Sequence, residues 1–412
     1  MHCKQATLLL KLVSFFLFSA LLSVSLEAKS SKEGLDYLNT LRYNAGLISL
    51  KKNTFLEKAA YSHAKYLIQN QTNGHYEKKG KYSYTGSTPS KRIIKAGYPS
   101  RYAMENISVN TPGKIKSIDN LFAAIYHRFV FLSLDKDEIG IGSYATKKKR
   151  KFKRSYVYNI ASSAISKLCK QSFIMENGEY YVKKICRDKD KMIPQSLFME
   201  KKDEIRRKNK AVIVYPYPKQ EHIWPAFYNE SPDPLPKYKV SGFPISVQFN
   251  PANTQKVKLQ SFRLYDGEGK EIKKTKILQH ENDHNHLFTK FEFALMPLAR
   301  LEFNTSYTVM FEATADGRKV KKRWTFKTEN FKEKMYRITE NKTTVKVKAG
   351  TTAILYVVPS SRKDILRAYK SRGGIKVSFI DQNTLKVIFP KRRSSGRVSL
   401  GLGKRKVHFT IE

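Results

Sequence analysis

The chain is poor in three things: cysteine, acidic residues and long apolar runs. It has three cysteines in 412 residues and 35 acidic against 78 basic side chains. Past the N-terminus it has no uninterrupted apolar stretch of the roughly 18 residues that a membrane-spanning helix needs. The third lack excludes a helical membrane protein once the N-terminal segment is removed. The first leaves room for one disulfide. No cysteine has metal-ligand spacing or stands in a nucleophile motif, so cysteine chemistry of either kind is set aside. The HExxH spacing occurs once, as "HENDH" at 280–284, in a polar loop between strands and not on a helix that would pair zinc ligands with a base, and no GxSxG elbow presents a serine.

The shortage of acids leaves a formal net charge of +43. Such a chain is drawn to polyanions. The lysines are spread over the whole length, which also suits general compositional bias. Residues 1–28 read as an export signal. Lys4 and Lys11 give a basic start, "LVSFFLFSALLSVSL" is an uncharged run, and Ala28 closes a tolerable cleavage site. The expectation is a protein outside the inner membrane: periplasmic, cell-surface or secreted. There, anionic envelope polymers are a better-fitting partner than nucleic acid. Cys3 would leave with the signal, and Cys169 and Cys186 would form a disulfide in an oxidising space. The "ENG" between them suggests that this bond staples a hairpin.

Periodicity then organises the chain. Two helices are expected from about residue 33, the first stopped by Gly46 and the second opened by a Thr54/Glu57 capping box and stopped at Asn73–Gly74. A third runs from Thr88–Pro89 to Gly97, and a fourth covers about 117–127. "EIGIGSY" and "SYVYNIA" read as strands joined by the basic turn "ATKKKRKFKR". Residues 161–209 form a connecting region. The Pro-rich "YPYPKQEHIWPAFYNESPDPLP" then opens a stretch of alternating strands to about 330, and 331–412 repeats that style as a smaller β domain. Among the histidines, His63 lies on the apolar face of the second helix and reads as a core residue. "HENDHNH" (280–286) has three His and two acids but no spacing that defines a closed metal geometry.

Four short elements stand out by their order: "GHY" with His75, "ENI" with Glu105, "YHR" with His127 and "DEIGIG" with Glu138. Together with the two helices before them, they resemble the CAP superfamily of cysteine-rich secretory, antigen 5 and pathogenesis-related proteins, in its bacterial branch. The resemblance covers about residues 33–160. It implies an α/β/α sandwich over 29–160 with a ligand-binding cleft lined by His75, Glu105, His127 and Glu138. It also implies zinc or another divalent metal at His75 and His127. The cleft ligand would be a lipid, glycan or peptide. Met104 and Tyr126 stand where bacterial members often carry smaller residues, which puts bulk near the cleft. "VIVYPYP", "IWPAFY" and "YTVMFEA…WTFKT" resemble bacterial Ig-like domains. The expected architecture is therefore α+β and multidomain: a CAP-like sandwich, a connecting region holding Cys169 and Cys186, an Ig-like β-sandwich over 210–330, and a second all-β domain over 331–412. The expected role is non-enzymatic binding through the His/Glu cleft. The alternative is a metal-assisted hydrolase of peptide or envelope polymer, with Glu105 or Glu138 as base.

Overall fold

The computed structural model describes residues 32–391 and 398–412. The expected export signal, with Cys3, lies outside the described residues. The chain forms two compact units. The first comprises residues up to Phe122, Tyr126–Ile213 and Phe249–Thr254, and the second comprises Ala123–Ile125, Val214–Gln248 and Gln255–Glu412. No described helix is long and apolar enough to cross a membrane.

The first unit is built on four strands: β1 (Lys51–Lys52), β2 (Ala103–Val109), β3 (Glu138–Ala145) and β4 (Arg154–Ala161), in sheet order β1-β3-β4-β2. Helix α1 spans 32–45 and stops at Gly46, whose φ of 101° lies in the left-handed region. Helix α2 (Thr54–Asn70) covers one face of the sheet together with α3 (Pro89–Ala96). Their shared core holds Leu56, Ala59, Ile93, Tyr98 and Ala161. The other face meets α1, α4 (Lys114–Ala123) and α5 (Ile125–Phe131). There Phe131 packs edge-on against Tyr158, and Ser117 Oγ lies 2.9 Å from the Tyr158 hydroxyl. Tyr37 of α1 donates to Asp119 of α4. This is the expected α/β/α layering.

Three local expectations are corrected. The cap of α2 is Asn53, whose side chain accepts from the N–H groups of Phe55 and Leu56, so Thr54 is the first helical residue and forms no capping box. The helix ends three residues early, because Gln71 adopts the left-handed conformation at the C-cap. The single helix expected over 117–127 breaks at Ala124, which places His127 in the first turn of α5 and not at a helix end.

Two glycines decide how close α2 comes. A Cβ on Gly140 of β3 would lie 2.0 Å from the backbone of Leu56 and Glu57, and one on Gly142 would lie 2.1 Å from Tyr61 N. The "IGIG" run is thus the bed of α2, and any side chain there would push the helix off the sheet.

The connecting region belongs to the first unit. Helices α6 (Ser163–Leu168) and α7 (Gln195–Arg206) flank the Cys169–Cys186 disulfide. The bond forms as expected, but the hairpin inside its loop does not. Gly178 makes a turn, yet residues 170–180 form no strand, and Tyr181–Val182 pairs instead with Ile193–Pro194 beyond the loop. The physical reason is exposure: Ile174 and Met175 meet no sheet to pair with. Cys186 itself is buried with Ile165, Leu168, Ile193 and Phe198. Replacing both cysteines by serine is expected to lower stability by about 2 kcal/mol, since the bond closes a short loop. Faster hydrogen exchange confined to peptides within 163–206 would show it. Unchanged exchange there would mean that the buried cluster holds the region alone.

In the second unit two pairs of sheets follow one another. In the first, Ile245–Phe249, Glu292–Pro297 and Thr275–Gln279 pair antiparallel in one layer. Val257–Tyr265, Ser306–Ala315 and Arg318–Thr328 pair antiparallel in the other. The "ADGRK" turn sits between the last two, as its Asp-Gly signal predicts. The C-terminal pair encloses a core of Ile338, Leu355, Leu385, Leu400 and Val407. Arg300 joins the two. It donates to the Tyr228 hydroxyl, ion-pairs with Asp381 at 2.9 Å, and lies between the rings of Phe303 and Tyr356.

Candidate functional site

The α2 face of the sheet carries a buried ionic cluster. Along β2 side chains alternate, so Glu105 points toward α2 and Met104 and Asn106 point to the other face. Glu105 pairs in register with Asn159 of β4, and Asn159 with Gly140 of β3. The row Glu105–Asn159–Gly140 therefore crosses the sheet beneath α2.

Arg92, from α3, is fully buried and supplies the cluster's cation. Its Nη2 donates to both oxygens of Glu105 at 2.8 Å, its Nη1 donates to the His75 carbonyl at 2.8 Å, and its Nε lies 3.8 Å from Glu77. His75 Nδ1 is 3.0 Å from Glu105 Oε1, with the imidazole 38% exposed. Glu77 accepts from the N–H groups of Thr85 and Gly86, and it bonds His63 Nδ1 at 2.8 Å. His63 Nε2 faces the Gly74 carbonyl at 3.1 Å and stands 4.0 Å from Glu105. The amide orientation that satisfies both polar atoms of Asn159 has it donate to Glu105 Oε2 at 3.0 Å and accept from the Ala60 N–H. The cluster thus runs His63–Glu77–Arg92–Glu105–His75, and only His75 opens to solvent.

Burial works to raise the Glu105 carboxyl, but His75, Arg92 and His63 outweigh it and hold the group below the usual carboxylate range. Glu77 follows the same pattern. Burial raises it, and His63, the Thr85 and Gly86 amides and Arg92 bring it down.

Of the four residues singled out in the sequence, the structure brings His75 and Glu105 into direct contact. The His127 carbonyl accepts from the Asn106 side-chain amide at 2.9 Å on the face of the sheet opposite Glu105, so this bond does not bring the His127 ring to the pair. Glu138 is not brought to the pair. Its carboxylate accepts from Asn53 Nδ2 at 3.0 Å and from the Tyr98 hydroxyl at 2.6 Å. It pairs in register with Ala161, whose other partner is Ala103. Glu138 is therefore two strands and two residues from Glu105, roughly 12 Å by sheet geometry. Burial, reinforced by Glu138, pushes the Tyr98 hydroxyl up, so it stays a donor. Glu138 ties the start of α2 to β3 and Tyr98.

Sequence reasoning missed His63, Glu77, Arg92 and Asn159. His63 is buried as expected, yet both ring nitrogens face oxygen acceptors and it is no bland core residue. The signal available was one acid directly after "GHY" and one arginine between "GHY" and "ENI"; nothing in their spacing shows that they converge. Of the two bulky departures, Tyr126 is buried and Met104 is partly exposed, on the face away from Glu105. In "HENDHNH", His280 and His284 bond main-chain carbonyls, and Asp283 accepts from the amides of Leu287 and Phe288. Among the described residues, no group of three or more His, Cys, Asp or Glu side chains is arranged to hold a metal ion.

Residues 35–160 match the sequence model of the CAP family, described as the cysteine-rich secretory protein family. No curated protein sequence matches the chain. Among solved structures, an extracellular SCP-domain protein of Bacillus anthracis is 19% identical over 33% of this chain, with a TM-score of 0.28. The chain spans 41% of that protein's length. An outer surface protein of Borrelia burgdorferi is 21% identical over 33% of this chain and 94% of its own, also with a TM-score of 0.28. A titin fragment is 15% identical over 49% of this chain and all of its own, with a TM-score of 0.16. The α/β region with its "GHY", "ENI" and "YHR" elements leads to one statement of kinship: residues 35–160 are a CAP domain, and the chain continues from it into all-β sheets.

Proposed function

We propose that this is an exported, non-enzymatic binding protein whose His75/Glu105 cleft engages a lipid, glycan or peptide ligand at the cell envelope. The observation that carries this reading is the saturation of Glu105. Both carboxylate oxygens are held by a buried guanidinium, one of them also by His75, and the group is kept below the usual carboxylate range. A general base works best with a pKa near the operating pH, and Glu105 is shifted the opposite way. The Cys169–Cys186 disulfide supports a place outside the reducing cytoplasm.

The divalent metal implied by the family resemblance at His75 and His127 fits this donor set poorly. The His75 nitrogen nearest the carboxylate is committed to Glu105, and Arg92 already supplies the positive charge that a cation would bring. One observation favours the alternative of hydrolysis: a partly exposed imidazole backed by a buried carboxylate is an arrangement that can accept a proton.

The test is direct. The full chain and its His75→Ala/His127→Ala variant are incubated with peptidoglycan and with casein, with and without added zinc, and zinc binding is followed by calorimetry. The expected result is no hydrolysis above the variant and no zinc binding that depends on the two histidines. Turnover lost in the variant would overturn the binding reading, and stoichiometric zinc lost in the variant would overturn the metal argument.

A further inference from the structure

The C-terminal end of α2 organises two basic loops, neither of which belongs to the His75 cluster. Three consecutive side chains do this. Asn70 donates its amide to the Tyr82 carbonyl at 2.9 Å, and Gln69 accepts from the Ser83 hydroxyl at 2.6 Å, so the loop from Tyr76 to Ser83 is pinned to the helix end. Gln71 bonds the main chain of Phe152 in both directions, donating to its carbonyl at 2.9 Å and accepting from its N–H at 3.0 Å. The opposite edge of that β3–β4 turn is held by Asn110, which donates to the Lys151 carbonyl and accepts from the Lys153 N–H, both at 2.8 Å. Arg150 reaches the Gln69 carbonyl at 3.3 Å.

The main chains are thus held while the charged side chains stay in solvent. Lys78, Lys79 and Lys81 on the first loop are exposed, as are the five lysines and Arg150 between Lys147 and Lys153 on the second. The single acid within either segment, Glu77, is buried and spent on His63 and the Thr85 and Gly86 amides. The uncompensated charge therefore comes from one side only. Like charges crowded on two pinned loops repel one another, and an incoming polyanion relieves that repulsion without having to order the backbone.

We infer that these two loops form one composite surface that binds an acidic polysaccharide. Tyr76 and Tyr82 bracket the first lysine cluster and are 73% and 67% exposed. They offer flat ring faces to sugar rings between charged groups. A membrane is disfavoured because neither loop carries an exposed aliphatic side chain to insert between the lysines. Nucleic acid is disfavoured by the disulfide, which belongs to an oxidising compartment.

The probes are fluorescent heparin and polygalacturonate, titrated with the full chain by anisotropy over a range of sodium chloride concentrations. One variant carries Lys78→Gln, Lys79→Gln and Lys81→Gln, and a second carries Lys147→Gln, Lys148→Gln and Lys149→Gln. A control carries Arg318→Gln, Lys319→Gln and Lys322→Gln, which removes the same charge from an exposed strand of the second unit. Each loop variant is expected to weaken binding about tenfold or more and to lower the salt slope by about three, roughly one counterion per lysine. Tyr76→Ser/Tyr82→Ser is expected to weaken polygalacturonate binding with the salt slope unchanged. The control and His75→Ala are expected to stay within about twofold, which separates this surface from the cleft. All replaced lysines are exposed, so melting should be unchanged. Equal losses in the control would reduce the surface to net charge and overturn the inference. Loss from only one loop would overturn the composite surface. Tighter binding to duplex DNA or to phosphatidylglycerol vesicles at the same ionic strength would overturn the polysaccharide assignment.

Discussion

Replacing Arg92 by methionine is expected to lower the stability of the CAP domain by about 3–5 kcal/mol at neutral pH, the cost of breaking a buried ion pair. Arg92 is fully buried and bridges the Glu105 and Glu77 carboxylates. Without it, two buried carboxylates keep His63, His75, the Asn159 amide and the Thr85 and Gly86 N–H groups but lose their guanidinium. The loss should depend on pH with a defined sign. Both carboxyls titrate in the folded protein below their ordinary 4.5. The stability they contribute is therefore fully present above about 4.5 and is lost as pH falls through the lower folded values. In the variant the guanidinium no longer opposes burial, so protonation becomes favourable and the gap to the parent protein should narrow in acid. Adding Glu105→Gln to the Arg92 variant should restore part of the loss at pH 7, because it removes an uncompensated charge. The readout must be local. Both tryptophans, Trp224 and Trp324, lie in the second unit, so their fluorescence does not report this domain. Hydrogen exchange of peptides covering β2 and β3 does. A loss under about 1 kcal/mol, the same at pH 7 and pH 4, would mean that water already solvates the cluster.

Gly140→Ala is the second large effect, expected to cost more than about 3 kcal/mol. Overpacking by one methyl group is usually milder when side chains can give way. Here the new Cβ would sit 2.0 Å from main-chain atoms of Leu56 and Glu57, and backbone inside a helix cannot step aside without moving the whole helix. Moving α2 also displaces His63 from Glu77, so the cluster should loosen with the sheet. Gly401→Ala is the matched control. It too lies in a strand, but its nearest neighbour would be Lys370 at an ordinary 3.7 Å, and a change within about 1 kcal/mol is expected. Exchange protection along α2 separates the two outcomes. If Gly140→Ala proves as mild as Gly401→Ala, the helix is not seated as closely as the structure shows.

These two residues also show how far the sequence could be read. Gly140 was visible as part of a strand, because "EIGIGSY" alternates and follows an acidic turn. Its reason for being glycine was not visible, since the atom it would strike lies more than 80 residues earlier in the chain. Arg92 read as one more basic residue among 78. Nothing near it in sequence shows that its partners are Glu105 on the next strand and Glu77 in the preceding loop. Glu138 marks the opposite case. Its type and place in the order of motifs suggested a fourth member of the site, and strand register put it two strands away, where Tyr98 and Asn53 claim its carboxylate.

By itself, then, the sequence determined what depends on local pattern. It determined the first two helices and the two strands "EIGIGSY" and "SYVYNIA" of the first unit, the α3 boundaries at Thr88 and Gly97, the β-rich second half, the available cysteine pair, and the family carried by four short elements in order. Local pattern suffices there because caps, turns and period-two or period-3.6 burial act over a few residues. Only the tertiary structure decided which charges meet. Coulomb and hydrogen-bond partners are chosen by strand register and by helix-to-sheet distance, and both are set by contacts far apart in the chain. That is why His75 and Glu105 were found together, why Arg92, His63 and Glu77 completed their cluster unannounced, and why Glu138 was taken from it.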